Sequence, residues 1–483
     1  MQNVPRHELF AVLSQMNPWW QGQLLRDLPT WTRAAFPELL RWLVDPPAPR
    51  AVLVTGARQV GKTTLLRQAA RSLLARGIEP RQILYVTFDH PLVKIIGVEG
   101  VMRVWNELNA PDPEREQHLL LDEIQYVSDW GTWLKHRVDF EKHRRIAATG
   151  SAIPIRREGQ ESGVGRWHTI KLPTLSFYEY LQIRNTAMPE VPRVASLTQP
   201  FAWSDAERRR VALSAEALVP HFHEYLLRGG FPQTASVDDV DTAQRLLRED
   251  IVDKVLKRDM TALFGVRRIA ELERLFIYLC LHDGGMLDVQ ALASNVGVNS
   301  RTIANYLDLF EDSNLIYRLR PFGYGKQILK GRQKVYLADA AIAGSVLMRG
   351  RALLEDATRL GHAVETAFFK HVFAHYYSVS IGFSYWIGDR GTEIDVIAEI
   401  AGRVVPFEVK YRGTIDSRDL RTLAEFCAAR DVNRAYIIGA DARDLSLRPL
   451  GPAPEAPQAL VIPAPLACYW LSRMEIESTS TTN

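Results

Sequence analysis

The chain has 483 residues, of which 47% are hydrophobic and 24% charged, so it is long enough for several domains and too apolar for broad disorder. Its net charge of +3 is too balanced to indicate a nucleic-acid partner by itself. The three cysteines, Cys280, Cys427 and Cys468, lack the paired spacing of zinc or disulfide sites. No apolar run suits a signal peptide or a membrane span, so we expect a cytoplasmic protein without a membrane partner.

A tryptophan-rich segment occupies residues 1–50 and ends in the proline-rich stretch 45–49. Its tryptophans follow a helical spacing and comprise Trp19, Trp20, Trp31 and Trp42. Their rings could stack on an adenine base or pack against a following domain. We expect packing to be their main use, and we describe this segment as an N-terminal aromatic-rich lead-in.

A glycine-rich loop follows the apolar strand expected at residues 51–54. Residues 56–63 read GARQVGKT, and an amphipathic helix follows them. In such a loop the backbone N–H groups point at a triphosphate, and the dipole of the helix adds to the attraction. Lys62 is expected to reach the β- and γ-phosphates, and the Thr63 hydroxyl to bind magnesium. The residues expected to contact ATP here are Gly56, Gln59, Val60, Gly61, Lys62, Thr63 and Thr64.

A second buried strand, at residues 118–121, ends in two carboxylates. Asp122 is expected to hold Mg²⁺ through water, and Glu123 to polarise the attacking water. A further strand, at 146–149, leads to the hydroxyls of Thr149 and Ser151, either of which could sense the γ-phosphate. A turn stabilised by these side chains is the alternative for each. The two halves of the site together predict an ATP hydrolase that uses Mg²⁺.

Apolar strands alternate with helical stretches between residues 51 and 185, which predicts the α/β core of a P-loop ATPase with a parallel sheet. The strands are expected at 51–54, 83–88, 119–121, 146–149 and 169–172. Residues 201–280 are helical in pattern and broken sharply at 228–232. We expect this second segment to form a helical lid.

Residues 281–340 predict a winged helix-turn-helix. A short helix at 289–296, a turn at Gly297 and a longer helix at 299–314 precede a strand. The exposed side of the longer helix is expected to offer Ser300, Arg301, Asn305 and Tyr306. The following wing is basic and contains Arg318, Arg320, Lys326, Lys330, Arg332 and Lys334, with Phe322 and Tyr324 among them. This composition favours contact with DNA phosphates and bases, with a protein contact or a solvated loop as the alternatives.

Residues 345–472 predict an α/β domain with a charged hairpin, and residues 473–483 a flexible tail. The hairpin strands at 393–400 and 404–411 carry Asp395 on one strand and Glu408 and Lys410 on one face of the other. Glu365, on a preceding helix, could add a third carboxylate. Such a set predicts a site for Mg²⁺ or Mn²⁺ that activates water against a phosphodiester, with Lys410 orienting that water. A hairpin with ordinary surface charges is the alternative.

These motifs resemble the AAA-type ATPases of bacteria and archaea that carry a C-terminal domain of unknown function. The resemblance covers nearly the whole chain from about residue 50 and rests on residues 56–63, 122–123, 149–151, 165–166, 173–180 and 229–232. The C-terminal part resembles the PD-(D/E)xK, restriction-endonuclease-like fold shared with Holliday-junction resolvases. Two positions depart from these patterns, since Ala57 and Ile394 stand where the families commonly have proline.

The resemblance implies roles for individual residues. It implies ATP contacts at Gly56, Gly61, Lys62 and Thr63, a magnesium role for Asp122 and a catalytic base in Glu123. The nuclease set would consist of Glu365, Asp395, Glu408 and Lys410. Arg166 is the candidate for an arginine that completes a neighbouring subunit's ATP site. Arg156, Arg157 and Arg228 compete with it, and a plain salt bridge is an alternative role for Arg166.

The predicted function is an Mg²⁺-dependent ATPase that couples hydrolysis to DNA binding or to the processing of DNA, including branched DNA. We expect a homo-oligomer in the ATP-bound state. The alternative is an ATP-dependent binding switch, or a signalling or defence ATPase, whose nuclease-like tail grips DNA or a protein without cutting.

Overall fold

The computed structural model describes residues 5–112, 114–150, 165–323, 331–388 and 391–480. The chain divides after Leu172 into two compact units, and the second unit runs from Pro173 to Glu477. Each unit is built around its own β-sheet. The nucleotide motifs lie in the first unit, whereas the helix-turn-helix pattern and the charged hairpin lie in the second.

The first unit contains a five-stranded parallel sheet with the strand order β2-β3-β4-β1-β5. Its strands are β1 (Ala51–Thr55), β2 (Ile83–Thr87), β3 (Gln117–Asp122), β4 (Arg144–Gly150) and β5 (Trp167–Lys171). β1, β2 and β3 are buried along almost their whole length, as parallel strands covered on both faces require, and β4 is buried from Ile146 onward. The sequence-predicted strands are therefore confirmed in position and type. Because the strands are parallel, the ends of β1, β3 and β4 meet at one edge of the sheet.

Helices accompany this sheet, and the lead-in packs against the same unit. The helices are α1 (Arg6–Met16), α2 (Phe36–Val44), α3 (Lys62–Ala75), α4 (Pro91–Asn109) and α5 (Trp130–Phe140). The indole N–H groups of Trp19 and Trp20 both donate to Ile83 O, at 3.2 and 3.0 Å. Trp42 stacks on His168 with ring centroids 4.5 Å apart. These three tryptophans are thus used for packing, as expected.

The second unit begins with a largely helical region. Its helices are α6 (Phe177–Ile183), α7 (Asp205–Ala215), α8 (Leu218–Arg228), α9 (Pro232–Ala235), α10 (Val240–Arg248), a π-helical stretch (Glu249–Asp259), α11 (Met260–Phe264) and α12 (Ile269–Leu281). The two helices predicted between residues 289 and 314 follow as α13 (Val289–Val296) and α14 (Ser300–Asp312). The side chain of Asn299 caps α14 by accepting the Thr302 N–H at 2.8 Å.

A nine-stranded mixed sheet forms the rest of the second unit, with the strand order β13-β14-β12-β11-β10-β9-β7-β8-β6. Its strands are β6 (Gly285–Leu287), β7 (Ile316–Pro321), β8 (Gln333–Leu337), β9 (Ser380–Ile387), β10 (Glu393–Ile400), β11 (Arg403–Lys410), β12 (Arg434–Gly439), β13 (Ser446–Pro449) and β14 (Gln458–Pro463). The later helices are α15 (Ala341–Val346), α16 (Ala357–Tyr376), α17 (Ser417–Arg430) and α18 (Ala464–Ser480). The antiparallel β10–β11 hairpin confirms the predicted one.

All three cysteines of the chain are buried and unpaired. Burial raises the pKa of each thiol, and that of Cys427 to about 12. Within the residues that the structure describes, no helix is both long and apolar enough to cross a membrane.

Candidate nucleotide-binding site and acidic cluster

The glycine-rich loop joins β1 to α3 and closely approaches the end of β5. The Leu172 N–H donates to Thr55 O at 2.7 Å, and a Cβ built on Gly56 would lie 2.2 Å from Leu172 O. A larger residue at Gly56 would therefore separate the loop from this segment. Gly61, directly before α3, has φ +97°, in the left-handed region that favours glycine. Both glycines of the motif are thus required by the backbone.

Lys62 is buried against the loop that precedes it. Its Nζ donates to the carbonyl oxygens of Gly56 and Ala57, at 3.0 and 2.8 Å. Val60 is buried in the same loop, while Thr64, in the first turn of α3, is half-buried. The ammonium is therefore held beside the loop at the amino end of α3, the position required for contact with phosphate oxygens.

Asp122, at the end of β3, accepts hydrogen bonds from hydroxyl groups on three other elements. Its Oδ2 accepts from Thr63 Oγ1 at 2.8 Å and from Tyr85 Oη at 3.0 Å. Its Oδ1 accepts from the hydroxyl of Thr149, at the end of β4. The structure thus brings Thr63, Asp122 and Thr149 together, as the sequence predicts. Ser151 lies outside the described residues.

Glu123 follows Asp122 in a left-handed conformation, with φ +54°. Its backbone N–H donates to Thr149 Oγ1 at 3.1 Å, and its carboxylate accepts from the Gln125 amide. Burial raises the pKa of Glu123, and the neighbouring charge of Asp122 adds to this effect while that of Lys62 opposes it. A raised pKa strengthens the carboxylate as a proton acceptor, which suits a general base.

The oxygen donors at this edge of the sheet fit Mg²⁺. A hydroxyl and a carboxylate 2.8 Å apart are hard ligands of the kind this ion takes beside phosphate. When bound, Mg²⁺ would offset the negative charge of the phosphates. Thr63 and Asp122 would hold the ion, Lys62 would contact the phosphates and Glu123 would orient water.

Two residues of this region were missed by sequence reasoning. Arg33, from the lead-in, donates to Val60 O at 2.7 Å and so fixes the glycine-rich loop from outside. Tyr85, on β2, orients Asp122, and burial together with the charge of Asp122 raises its pKa. Its position on a strand next to β3 is a signal that could have identified it, whereas nothing in the sequence links Arg33 to the loop.

Arg166 lies at the edge of the sheet opposite the glycine-rich loop. Its carbonyl accepts the N–H of Ala51, at the start of β1, and its Nε lies 3.0 Å from the carboxylate of Asp139. The four residue steps from Ala51 to Thr55 span about 13 Å. Arg166 is therefore far from the ATP site of its own chain, and its salt-bridge role is present in the structure.

The other arginine candidates are not better placed. Arg228 is buried, pairs with Glu224 and donates to the carbonyls of Val237 and Asp238, so its guanidinium stabilises a helix end. The prediction that Arg228 competes for a trans-acting role is therefore not supported by its contacts. Arg156 and Arg157 lie outside the described residues.

The predicted nuclease residues converge in the second unit around a lysine that was assigned to the wing. Lys334 on β8 is 2% exposed. Its Nζ lies 2.8 Å from Glu365 Oε1, 2.6 Å from Glu393 Oε1 and 2.8 Å from Asp395 Oδ1. The expectation that Lys334 is a surface residue available to DNA is wrong, because three carboxylates enclose its ammonium.

Glu365, Glu393, Asp395 and Glu408 form an acidic cluster, and Lys410 pairs with its member Glu408. Glu408 accepts the backbone N–H of Asp395 at 3.2 Å and pairs with Lys410. Asp395 Oδ2 accepts the Val409 N–H at 2.9 Å. The four residues implied by the nuclease resemblance are thus close together in the structure.

The buried charges shift one another's titration. Burial raises the pKa of Glu365 to about 7, with Asp395 adding to the effect and Lys334 opposing it. Burial also raises the pKa of Glu408. Burial would raise the pKa of Asp395 as well, but Lys334 and Lys410 outweigh it and lower that pKa. The two lysines therefore favour the charged form of Asp395.

No group of three acidic, histidine or cysteine side chains is arranged to hold a metal ion among the residues that the structure describes. The predicted ligands Glu365, Asp395 and Glu408 are present, but the ammonium of Lys334 lies between the first two of them. The donor set therefore does not fit a metal ion as it stands. Sequence reasoning missed this because Lys334 looked like part of a basic run, although period-2 alternation places it on the same face of β8 as Tyr336.

Fewer residues of the predicted DNA-contacting surface are exposed than the sequence predicts. Ser300, Arg301 and Asn305 are exposed on α14, but Tyr306 is buried at 7% exposure, so its assignment to the exposed face is wrong. Phe322 packs on Phe426 instead of standing out from the wing.

Other basic residues of the predicted wing form ion pairs. Arg318 pairs with Asp308 and Glu311, and Arg332 lies 3.1 Å from Asp288. Arg320 is exposed, whereas Lys326, Lys330 and Tyr324 lie outside the described residues.

A third buried lysine, Lys370, links the segments after β5 and after α8. Asp339 Oδ2 accepts from Thr174 Oγ1 at 2.6 Å and from the Gly230 N–H at 3.0 Å. Lys370 lies 3.4 Å from the same oxygen and donates to Leu175 O at 2.8 Å. Residues 173–180 and 229–232, two of the segments on which the family resemblance rests, therefore meet at the Asp339–Lys370 pair. This contact gives both segments a structural role.

A parallel sheet with this loop after β1, and with a carboxylate at the end of β3 bonded to the loop's threonine, is the arrangement of a P-loop ATPase. Residues 48–181 match the family model described as AAA domain. The chain therefore contains a P-loop ATPase domain of the AAA type. Residues 219–352 and 360–455 match two models described as domains of unknown function, DUF8612 and DUF4143.

Three similar curated proteins are described as uncharacterized. One from Haemophilus influenzae is 24% identical over 368 residues, which cover 74% of this chain and 82% of that protein. One from Mycobacterium tuberculosis is 25% identical over 380 residues, covering 77% and 73%. One from Methanocaldococcus jannaschii is 23% identical over 309 residues, so the match spans 63% of this chain and 64% of that relative.

Solved structures resemble the chain only distantly. AMPPCP-bound DnaA from Aquifex aeolicus has a TM-score of 0.26 and 14% identity, with 58% of this chain and 86% of that chain covered. Cdc6p from Pyrobaculum aerophilum has a TM-score of 0.25 and 14% identity, with 68% and 96% covered. TM-scores this low say nothing about the function of the present chain.

Proposed function

We propose that the protein is a cytoplasmic, Mg²⁺-dependent ATPase that couples ATP hydrolysis to DNA binding or DNA processing. The observation that carries the proposal is the meeting of Thr63, Asp122 and Thr149 beside the loop that holds Lys62. Glu123, with its raised pKa, is the group that would orient and deprotonate the attacking water.

The DNA-binding part of the proposal rests on the second unit. Helices α13 and α14 with the antiparallel strands β6, β7 and β8 are consistent with a winged helix over residues 281–340. Residues 201–280 would serve as the lid and residues 345–472 as the nuclease-like domain. Arg301 and Asn305 on α14, with Arg320 at the end of β7, are exposed side chains suited to phosphate and base contacts.

The test is ATP turnover measured with and without single-stranded, duplex and branched DNA. We expect at least one of these to raise turnover, with Lys62→Ala as the inactive control. A protein that hydrolyses ATP at the same rate with every DNA, and binds none at low salt, would contradict the coupling.

A paired variant locates the DNA contact. Replacing Arg301 and Arg320 by alanine should weaken DNA binding and lower its salt dependence, because each lost phosphate contact releases about one counterion fewer. Replacing Arg267 and Arg274 by alanine is the matched control, since both arginines are exposed, just before and on α12, outside the proposed contact. Equal losses in the two proteins would point to general charge and not to α14.

A second candidate function is an ATP-controlled binding switch, including a signalling or defence ATPase, whose tail grips DNA or a protein without cleavage. The specific observation that favours it is the ammonium of Lys334 among Glu365, Glu393 and Asp395. Metal-dependent cleavage that is lost in Asp395→Ala, Glu408→Ala and Lys410→Ala alike would favour the nuclease instead. Incubation of linear, flapped and four-way DNA with Mg²⁺ or Mn²⁺ separates the two.

The proposal includes a homo-oligomer in the ATP-bound state with Arg166 acting on a neighbour's ATP. Because Arg166 is at the far edge of its own sheet, it could reach only the site of another copy. Arg166→Ala should then lower turnover at unchanged nucleotide affinity, and mixing it with Lys62→Ala protein should restore activity at mixed interfaces. A monomeric ATP-bound protein with full turnover would assign Arg166 to its pair with Asp139 alone.

A further inference from the structure

We propose that Lys334 is the resident cation of the acidic cluster, so that its ammonium and a divalent metal ion compete for the same carboxylates. This inference rests on the nuclease-like interpretation of the tail in the proposed function. It goes beyond that interpretation by assigning a closed metal site whose closing group is part of the chain.

The hydrogen-bonding capacity of the ammonium matches its surroundings. A lysine ammonium has three N–H donors, and Nζ of Lys334 has carboxylate oxygens of Glu365, Glu393 and Asp395 at 2.8, 2.6 and 2.8 Å. Charge-assisted hydrogen bonds have this length, whereas Mg²⁺ would draw its oxygens in to about 2.0–2.1 Å. The oxygens are therefore spaced for an ammonium.

The carboxylates that could still bind a metal are bonded within the protein. Asp395 accepts from Lys334 through Oδ1 and from the Val409 N–H through Oδ2. Glu408 pairs with Lys410 through one oxygen and accepts the Asp395 N–H through the other. A metal ion would have to displace the ammonium of Lys334 to gain both Glu365 and Asp395 as ligands.

The backbone and a tyrosine hold the ammonium in place. Lys334 lies on β8 and is paired in register with Met286 on β6 and with Leu319 on β7. Tyr336, two residues along the same strand, donates to Glu365 Oε1 at 2.6 Å. The lysine therefore cannot leave the cluster by a movement of an edge strand. A dissolved cation must compete with a tethered one, which has a high local concentration.

The experiment is a titration of the nucleotide-free, full-length protein with Mn²⁺, with free ion followed by electron paramagnetic resonance. Wild-type protein and Asp395→Asn should bind the same amount of Mn²⁺. Lys334→Met, which removes the charge at similar length, should gain about one equivalent, and Lys334→Met with Asp395→Asn should lose it again. Mn²⁺ should also raise the melting temperature of Lys334→Met and leave that of the wild type unchanged.

Two results would overturn the proposal. The first is a Mn²⁺ ion that wild-type protein binds and Asp395→Asn does not bind. Mn²⁺-dependent DNA cleavage by the wild type that is lost in Asp395→Asn would count equally. In either case the ion would occupy the cluster together with Lys334. The second is a folded Lys334→Met protein, checked by circular dichroism, that gains no ion. If Lys334→Met does not fold, the comparison of wild type with Asp395→Asn still decides. Absence of ATP turnover in the wild type would remove the proposed function without touching this result.

Discussion

Lys62 in the first unit and Lys334 in the second are both buried lysines, but their partners differ. Lys62 donates to two neutral carbonyl oxygens of its own loop, whereas Lys334 is enclosed by three carboxylates. When Lys62 exchanges carbonyl oxygens for phosphate oxygens, it gains an attraction between opposite charges. When Lys334 leaves its carboxylates, it loses such an attraction. The same residue type therefore serves ligand binding in one unit and internal charge compensation in the other.

We expect Lys62→Ala to give the largest change in function. Unchanged ATP binding and turnover would contradict the difference drawn between Lys62 and Lys334. Loss of the ammonium removes the group that contacts the β- and γ-phosphates, so ATP binding or turnover should disappear. Loss of the two hydrogen bonds to Gly56 O and Ala57 O should change the free energy of unfolding without nucleotide by about 1 kcal/mol each. Equilibrium nucleotide binding and urea unfolding measure the two effects. A large loss of stability would place Lys62 in the same class as Lys334.

Glu123→Gln should separate binding from chemistry at the same site. The amide keeps the shape and the contact with Gln125 but cannot accept a proton, so turnover should fall about 10²- to 10⁴-fold. ATP affinity should stay near that of the wild type, as measured by binding of a labelled nucleotide. Near-wild-type turnover would remove the assignment of Glu123 as base.

We expect Lys370→Met to lower the stability of the protein, whereas Lys62→Ala lowers its function. Lys370→Met leaves Asp339 buried without its cation, which typically costs about 3–5 kcal/mol. Burial lowers the pKa of Lys370 while Asp339 opposes the shift, as expected for a desolvated pair. The midpoint of urea unfolding should fall, and adding Asp339→Asn should restore part of it because both charges are then gone. Full stability of the single variant would show that water compensates Asp339.

Acid should destabilise the second unit through His371, by a smaller amount for each pH unit. Burial and the charge of Lys370 lower the pKa of His371 from 6.5 to about 3. Its Nε2 accepts the Phe177 N–H at 2.8 Å, which requires the neutral ring. A base with a lowered folded-state pKa contributes stability above pH 6.5, and this stability is lost as pH falls from 6.5 toward 3, by up to about 1.4 kcal/mol per pH unit. Unfolding of wild type and His371→Gln between pH 4 and 7 should give a shallower slope for the variant.

The ATP site was predictable from sequence because its residues sit in short segments with a strong local pattern. Gly56 to Thr63 are contiguous, and Asp122 ends an apolar run, so strand order alone brings them to one edge. The acidic cluster was predictable only in part. Asp395 and Glu408 face each other across a hairpin, but the approach of Lys334 depends on β7 pairing with β9 far along the chain. Tyr306 was misplaced because helix periodicity does not reveal which face a neighbouring element will cover.

The chemical inertness of Cys280, Cys427 and Cys468 has a practical consequence. Burial keeps these thiols protonated and out of reach of alkylating reagents. A cysteine introduced at Leu213, which is 59% exposed on α7, would therefore be the single position modified by a maleimide dye. Fluorophores can be attached to this protein one site at a time without first replacing its native cysteines.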